Sequence, residues 1–157
     1  MLRIRIIVVD RTRASFLREG EAFYLKRLRR YVKADWVEVK PAGITKGRTD
    51  EEILLEEGRA LAKRLGPGDT AIPLDRKGKA YDSRGLARRL DGLSHRSGGA
   101  VCFIIGGPLG ISGEVLERAE EALSLSRLTL THEMSRLILL EQLYRACTIL
   151  AGEKYHK

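Results

Sequence analysis

The sequence has few of the residues on which disulfide, metal and membrane chemistry depend. Its two cysteines, Cys102 in an apolar run and Cys147 in a helical pattern, have neither a disulfide pattern nor metal-ligand spacing. We therefore expect two buried free thiols in a reducing cytoplasm, and no metal. No run of 18 apolar residues occurs, and the apolar run at residues 6–9 is too short for a secretory signal. We expect a cytoplasmic protein that does not bind membranes.

Several catalytic motifs are also missing. The sequence has no Gly-Lys-Ser or Gly-Lys-Thr phosphate loop and no Gly-x-Ser-x-Gly nucleophile turn. The glycines of residues 106–110 do not form a dinucleotide fingerprint, because their spacing is wrong and they come late in the chain instead of after the first strand. Phosphate-loop enzymes, serine hydrolases of that type and dinucleotide-binding enzymes are set aside.

The chain has enough hydrophobic residues for the core of one domain, and it carries a net positive charge. Its 157 residues are 43% hydrophobic, which suits one domain spanning residues 1–157. The net charge of +8 and pI of about 9.8 favour a polyanionic partner, with nucleic acid ahead of an acidic membrane. Lys26, Arg29, Arg30 and Lys33 form a basic ridge along one helix stripe. Two interpretations stay open: a solvated face that keeps the protein soluble, or phosphate contact without sequence choice.

Apolar runs alternate with amphipathic segments along the whole chain, which predicts an α/β fold with a mainly parallel sheet. The patterns predict strands at residues 1–10, 35–40, 70–74, 101–105 and 123–132. They also predict helices with an N-cap at Ser15, a capping box at Thr49, a start at Asp82 or Ser83, an N-cap at Ser112, and a start at His132 or Glu133. Phe16, Phe23 and Leu28 fall on one apolar stripe of the first helix.

Two loops with small side chains are candidates for a ligand site. Residues 106–110 follow a buried strand and form a loop that has almost no side chains, so a flat ligand can lie close to its backbone. In residues 123–132 leucines alternate with hydroxyl residues, which places Ser126 and Thr129 near exposed backbone. Leu74 and Asp75 lie at the carboxyl end of another strand, where ligands bind in open α/β sheets.

The last helix, residues 132–151, is apolar almost all the way round. One flank of a small domain cannot cover such a surface, so we expect one face to meet a second subunit, with Leu139 and Leu143 in the contact. Glu141 and Arg145 stand four residues apart on this helix, which favours a structural ion pair over a catalytic acid.

Several segments together carry a resemblance to a known family. They are residues 103–110 (FIIGGPLG), residues 123–132 (LSLSRLTLTH), Arg136, residues 141–146 (EQLYRA), the terminal residues 155–157 (YHK) and residues 74–79 (LDRKGK). The chain, over essentially its full length, resembles the RlmH family, SPOUT-superfamily methyltransferases that act on a pseudouridine of large-subunit (23S) ribosomal RNA. The resemblance implies a trefoil knot at the C-terminal end of the α/β fold, which rules against threaded chains would otherwise reject.

The resemblance also implies a bent S-adenosylmethionine between the loops after Leu74, after Ile105 and around residues 126–131. Carried over by position, the cofactor contacts are Leu74, Asp75, Gly106, Gly107, Ser126, Arg127, Leu128, Thr129, Leu130 and Thr131. Two positions depart from the family pattern: many relatives have a proline at Thr131 and a polar or acidic residue at Leu109. The first departure leaves the rim less rigid, and the second removes one contact to the charged end of the cofactor.

The implied reaction is direct methyl transfer to N3 of the pseudouridine by a homodimer, with no metal. His132 is a candidate to accept the N3 proton, and Tyr155 or His156 from the tail of the partner are rivals. A capping or core histidine is the alternative interpretation of His132. Arg136, Arg145 and Lys157 are expected to hold RNA phosphates. Two other functions stay open: a noncatalytic ribosome-associated RNA-binding protein, and a SPOUT methyltransferase that acts on transfer RNA.

Overall fold

In the computed structural model, which describes residues 1–96 and 98–157, five parallel strands form the predicted sheet. They are β1 (Arg3–Val9), β2 (Lys33–Val39), β3 (Thr70–Ala80), β4 (Val101–Ile105) and β5 (Leu123–Ser124). The spatial order is β2-β1-β4-β3-β5, and every pairing is parallel. The end of β1 and the whole of β4 are apolar on both faces, so they take central positions with helices on either side. The predicted α/β fold with a mainly parallel sheet is confirmed.

Five helices cover the two faces of the sheet. They are α1 (Ser15–Leu28), α2 (Asp50–Ala62), α3 (Ser83–Ser94), α4 (Gly113–Arg118) and α5 (His132–Leu150). Buried side chains of α1, α3 and α5 pack with Ile6 and Phe103 on one face. Leu61 of α2 and Val115 of α4 pack with Ile7 and Ile104 on the other. The strand order does not test the trefoil knot, which stays a prediction.

The predicted helix starts are confirmed, but the N-cap predicted for the first helix is wrong. Thr49 forms a complete capping box with Glu52, and the side chains of Asp82 and Ser112 cap α3 and α4. α5 begins at His132, as predicted, with the Thr131 hydroxyl as its cap. Ser15, however, is already helical, and the preceding Ala14 has no side-chain oxygen to cap α1. Glu133 of α5 instead holds the residues just before α1, because its Oε1 accepts the backbone N–H groups of Arg13 and Ala14.

The strand predicted for residues 123–132 is wrong beyond Ser124. The Ser124 hydroxyl donates to the oxygen of Ser126, and the Ser126 hydroxyl accepts the N–H of Leu128. These local hydrogen bonds give the backbone an alternative to a sheet ladder, so the chain turns after two paired residues. β3, in contrast, continues past the predicted end at Leu74. Both Leu74 and Lys79 pair with Leu123, and residues 75–78 bulge out between them.

Much of the apolar surface of α5 is buried inside the protein. Leu139 and Leu143 are fully buried in the core with the sheet and α3, so their predicted place in a subunit contact is wrong. The apolar side chains left exposed include Phe16, 68% exposed, and Phe23, 47% exposed, on α1. Both cysteines are buried and free, as predicted. Within the described residues, no helix is long and apolar enough to cross a membrane.

Candidate functional site

A cleft of about 740 Å³ opens at the carboxyl ends of β3 and β4 and beside β5. This is the edge of a parallel α/β sheet at which ligands bind. Its lining consists of the ends of β3 and β4, the glycine turn, the segment after β5 and the first turn of α5: Leu74, Asp75, Arg76, Ile105, Gly106, Gly107, Pro108, Leu109, Gly110, Ile111, Leu123, Leu125, Ser126, Leu128, Thr129, Leu130, Thr131, His132 and Ser135. Three segments distant in sequence therefore share one cavity.

The cleft brings together most of the residues expected to bind a cofactor. Those that line it are Leu74, Asp75, Gly106, Gly107, Ser126, Leu128, Thr129, Leu130 and Thr131, with His132 at the start of α5. Arg127 is exposed and lies outside the lining. Arg145, Tyr155, His156 and Lys157 also lie outside it. The loops predicted to come together do so, and the C-terminal residues do not join them within one chain.

The glycine turn closes on itself and requires a glycine at residue 106. Gly107 and Gly110 form an antiparallel bridge in which Gly110 N donates to Gly107 O at 3.0 Å. A Cβ on Gly106 would lie 2.0 Å from the carbonyl oxygen of Gly110, a backbone atom that can move only if the turn opens. Gly110 itself has a φ of +90°. The result is a wall of the cleft made of backbone.

The opposite wall offers unpaired backbone polar groups. Within the described residues, the backbone groups of residues 127–130 have no hydrogen-bond partner except Leu128 N–H, which donates to the Ser126 hydroxyl at 2.9 Å. The side chain of Leu128 is 75% exposed at the same place. Such a wall can bind a flat heterocycle. Its unpaired amides and carbonyls can form hydrogen bonds with the edge of the ring, and its apolar side chains can contact the faces of the ring.

His132 is the first residue of α5 and lies half-buried in the cleft wall. Burial lowers the pKa of its imidazole from the ordinary value of 6.5, and the nearby Arg136 guanidinium lowers the pKa further. Glu133 and Asp10 act in the opposite direction. Because the net pKa is lowered, the imidazole is neutral at pH 7 and has a free ring nitrogen to accept a proton.

Arg136 does not contact solvent, so the expectation that it holds RNA phosphates is wrong. Its side chain is fully buried and donates to the backbone oxygens of Val9 and Asp10 and to the Thr12 hydroxyl. The carboxylate of Glu21 accepts from the same hydroxyl. Sequence spacing alone could not predict this, because the acceptors lie more than 120 residues away along the chain.

Two residues near the cleft were missed by the sequence analysis. Arg76 lines the cleft and donates from Nη1 to the Thr129 hydroxyl at 3.1 Å, which links the bulge of β3 to the wall of residues 127–130. The sequence signal that could have indicated Arg76 is its positive charge in the segment directly after Leu74 and Asp75. Glu57 of α2 is buried behind the glycine turn: its Oε2 accepts Ala42 N–H at 3.1 Å, and a Cβ on Gly107 would lie 3.2 Å from its Oε1. Burial raises the pKa of Glu57. No sequence signal indicated this contact.

The C-terminal tail folds back on α5 far from the cleft of its own chain. The Tyr155 hydroxyl donates to Glu141 Oε1 at 3.0 Å, and Arg145 donates to the same carboxylate, which confirms the predicted ion pair. Arg145 Nη1 lies 3.3 Å from Nδ1 of His156. Glu141 stands nine residues after His132, a separation of about 13 Å along a helix. The tail therefore contributes nothing to the cleft of its own chain in this conformation.

Comparison with known families gives a match over almost the whole chain. A family model described as "Predicted SPOUT methyltransferase" matches residues 2–156. A protein named Ribosomal RNA large subunit methyltransferase H from Desulfitobacterium hafniense (strain Y51) is 43% identical over 160 residues, with both chains covered in full. A protein of the same name from Rubrobacter xylanophilus is 47% identical over 157 residues, 98% of each chain.

Solved structures with low sequence identity have the same fold. A probable methylase family protein from Haemophilus influenzae Rd KW20 gives a TM-score of 0.56 at 14% identity, over all of this chain and 72% of that one. A probable methyltransferase from Bordetella pertussis Tohama I gives 0.53 at 14% identity, over 93% of this chain and 95% of that one. These structures support the fold alone.

Proposed function

The chain belongs to the RlmH family of SPOUT methyltransferases, and on this premise we propose that it transfers a methyl group from S-adenosylmethionine to N3 of a pseudouridine in large-subunit (23S) ribosomal RNA. The observation that carries the cofactor half of the proposal is the cleft with unpaired backbone groups at residues 127–130. The substrate half rests on relatives more than 40% identical over their full length. Such a substrate places the reaction in the cytoplasm.

The cleft fits S-adenosylmethionine by the chemistry of its walls. The backbone amides and carbonyls of residues 127–130 would bind the edge of the adenine, and Leu128 would cover one face of the ring. The turn from Gly106 to Gly110 leaves room for the methionine part against bare backbone. Asp75 and Arg76 supply one carboxylate and one guanidinium to the same cleft, a match for a ligand with hydroxyl, ammonium and carboxylate groups.

The cofactor supplies an activated methyl group on a sulfonium, so the task of the protein is placement and proton removal. Fixing two reactants in line contributes on the order of 7 to 11 kcal/mol. His132, neutral at pH 7, would accept the N3 proton of the pseudouridine. The Tyr155 hydroxyl is a weaker candidate, because it donates to the Glu141 carboxylate and its pKa is raised, chiefly by burial. His156 of the partner subunit stays the alternative acceptor.

A homodimer would cover the apolar side chains that a monomer exposes. Phe16 and Phe23 of α1 and Met134 of α5 are exposed, and Met134 is next but one to His132 in the first turn of α5. Two copies that meet along α1 and α5 would bury this surface beside the cleft, and the tail of one copy would approach the cleft of the other. The predicted basic ridge does not run along one helix, because α1 ends at Leu28 and Lys33 begins β2. Its four side chains are exposed all the same, and with Arg145 and Lys157 they would then bind RNA phosphates: Lys26, Arg29, Arg30 and Lys33.

Two measurements test the function. Isothermal titration with S-adenosylmethionine is expected to give micromolar or tighter binding; absence of heat would favour a noncatalytic RNA-binding protein. Mass mapping of ribosomal RNA from a strain without the gene is expected to show an unmethylated pseudouridine that the purified protein methylates. Full methylation of that nucleotide in the deletion strain, together with loss of a methyl group from transfer RNA, would replace the proposal with the transfer RNA reaction.

The shared site has its own test. Mixed dimers are made from a His132→Ala chain and a chain truncated after Glu153, each inactive as a homodimer. If the cleft of one copy works with the tail of the other, one of the two sites in a mixed dimer is intact, and mixing restores activity. Mixed dimers as inactive as both parents would overturn the shared site and leave the methyltransferase assignment in place.

A further inference from the structure

The loop of residues 10–14, which connects β1 to α1, lies beside the cleft. β1 pairs in parallel with β4, and Val8 stands opposite Ile105, so Asp10 leaves the sheet next to the glycine turn. A Cβ on Gly107 would lie 3.6 Å from Cγ1 of Val9. On the other side, the loop contacts Glu133, the residue that follows His132 in α5. The loop therefore lies beside the glycine turn and the first turn of α5, both of which line the cleft.

Side chains of α5 hold the backbone of this loop in an unusual conformation. Asp10 has a φ of +66°, the only positive φ of a non-glycine residue in the described part of the chain. Such a conformation persists when its surroundings over-determine it. Arg136 donates to the oxygens of Val9 and Asp10, and Glu133 accepts from Arg13 N and Ala14 N at 2.8 and 3.1 Å.

A second set of contacts fixes the middle of the loop. The buried Thr12 hydroxyl donates to Glu21 at 2.6 Å and accepts from Arg136 at 2.9 Å. Arg18 Nη1 donates to the oxygens of Thr12 and Arg13, each at 3.2 Å. Most backbone polar groups of the loop are thus bound by side chains, which makes it a rigid platform and not a mobile connection.

This platform presents two guanidinium groups to the solvent. Arg11 is exposed, and its side chain has no hydrogen-bond or ion-pair partner among the described residues. The side chain of Arg13 is 67% exposed, and its one ion pair with a described residue is with Asp10, at 2.9 Å. A guanidinium binds the oxygens of a phosphate bidentately, and a rigid base fixes where the phosphate must lie. Neither guanidinium takes part in the contacts with α5, Glu21 and Arg18 that hold the loop.

We propose that Arg11 and Arg13 bind backbone phosphates of the substrate RNA next to the target nucleotide and so place its base at the mouth of the cleft. This inference rests on the proposed function, because it assumes that the chain methylates RNA. RNA is favoured over an acidic protein because the loop adjoins the site into which a nucleobase must enter. The interaction sets affinity and position for the RNA and leaves cofactor binding unchanged.

The test uses the full-length protein and ribosomes from a strain without the gene. The variants are Arg11→Gln and Arg13→Gln, with Arg11→Lys as the charge-conserving variant. Arg64→Gln is the matched control, an exposed arginine that follows α2 at the opposite edge of the sheet. The measurements are KM for ribosomes and kcat at several salt concentrations, the Kd of S-adenosylmethionine by titration, and the melting temperature.

Each glutamine variant is expected to raise KM for ribosomes several-fold. The slope of log KM against log salt is expected to fall by about 0.7 to 0.9 for each lost phosphate contact. Arg11→Lys keeps most of the affinity, and Arg64→Gln, the melting temperature and the cofactor Kd stay unchanged. Unaltered KM and salt slope in both glutamine variants, or a weakened cofactor Kd, would overturn the proposal. A wild-type protein that never methylates ribosomes would instead overturn the proposed function.

Discussion

The guanidinium of Arg136, fully buried, donates to the backbone oxygen of Val9 at 2.5 Å. This bond joins the first strand of the sheet to the last helix, across 127 residues of sequence. Its Nε is buried without a partner among the described residues. Such a group is tolerated where the remaining hydrogen bonds hold a needed geometry, here the end of β1 and the helix that begins with His132.

We predict that Arg136→Met lowers the free energy of unfolding by about 3 to 5 kcal/mol, because the oxygens of Val9 and Asp10 and the hydroxyl of Thr12 lose a buried charged donor. Urea denaturation measures the change. Arg59→Met, on the exposed side of α2, is the matched control and is expected to change stability by less than about 0.5 kcal/mol. If Arg136→Met lowered the free energy of unfolding as little as the control does, the guanidinium would be dispensable for folding.

Gly106→Ala is expected to weaken S-adenosylmethionine binding by at least about tenfold, or about 1.4 kcal/mol. The added methyl group would meet the carbonyl of Gly110, so the turn has to open into the cleft. Gly113→Ala is the control, because no atom lies within 4 Å of the Cβ it adds at the start of α4. Titration calorimetry compares the two. Equal affinities would show that the closed turn is not part of the cofactor site.

Glu57→Gln is expected to make the protein more stable at neutral pH. Burial raises the folded-state pKa of Glu57 above its ordinary value of 4.5, so the folded state holds its proton more tightly than the unfolded state does. Wild-type stability therefore falls as the pH rises from 4.5 through the folded-state pKa, whereas a glutamine does not titrate and still accepts from Ala42 N–H.

Urea denaturation at several pH values gives the difference between this variant and the wild type, which is expected to be small below pH 4.5 and to grow above it. Glu51→Gln, at an exposed position of the same helix without an ion pair among the described residues, corrects for the loss of one negative charge. A difference that shrinks as the pH rises would contradict the assignment of Glu57 as a carboxylate destabilised by burial.

Phe23→Glu is expected to weaken the homodimer by about 2 kcal/mol, or roughly thirtyfold in Kd, because it places a charge in the proposed contact. Light scattering during size-exclusion chromatography measures the mass. Ile44→Glu is the control: Ile44 is 91% exposed, more than Phe23, but lies in the loop before α2, away from the α1 and α5 surface. A dimer that survives Phe23→Glu and dissociates with Ile44→Glu would move the interface to the other side of the molecule.

Sequence patterns predicted the structure correctly where the structure depends on residues that are close together in the chain. The capping box at Thr49 and the start of α5 at His132 depend on hydrogen bonds within a few residues. The end of the strand after Ser124 was missed, since Ser126 satisfies backbone groups that the alternating pattern had assigned to a sheet.

The same limit applies to α5. Apolar residues around the whole helix can meet another subunit or the core of their own chain, and the pattern does not distinguish the two. Leu139 and Leu143 go to the core, whereas Met134 and Leu150 at the two ends of α5 stay exposed, as do Phe16 and Phe23 on α1.

By itself the sequence determined the alternation of strands and helices and the glycine turn. It also indicated ten residues expected to bind the cofactor, and all of these except Arg127 line the cleft. These follow from local periodicity, from glycine chemistry and from a full-length resemblance. Only the tertiary structure decided that Arg136 is a buried support for the loop of residues 10–14, and that Glu57 lies behind Gly107. The sequence does not show whether a charged side chain is exposed to water or buried against a carbonyl distant in the chain, because burial depends on segments that come together only when the chain folds.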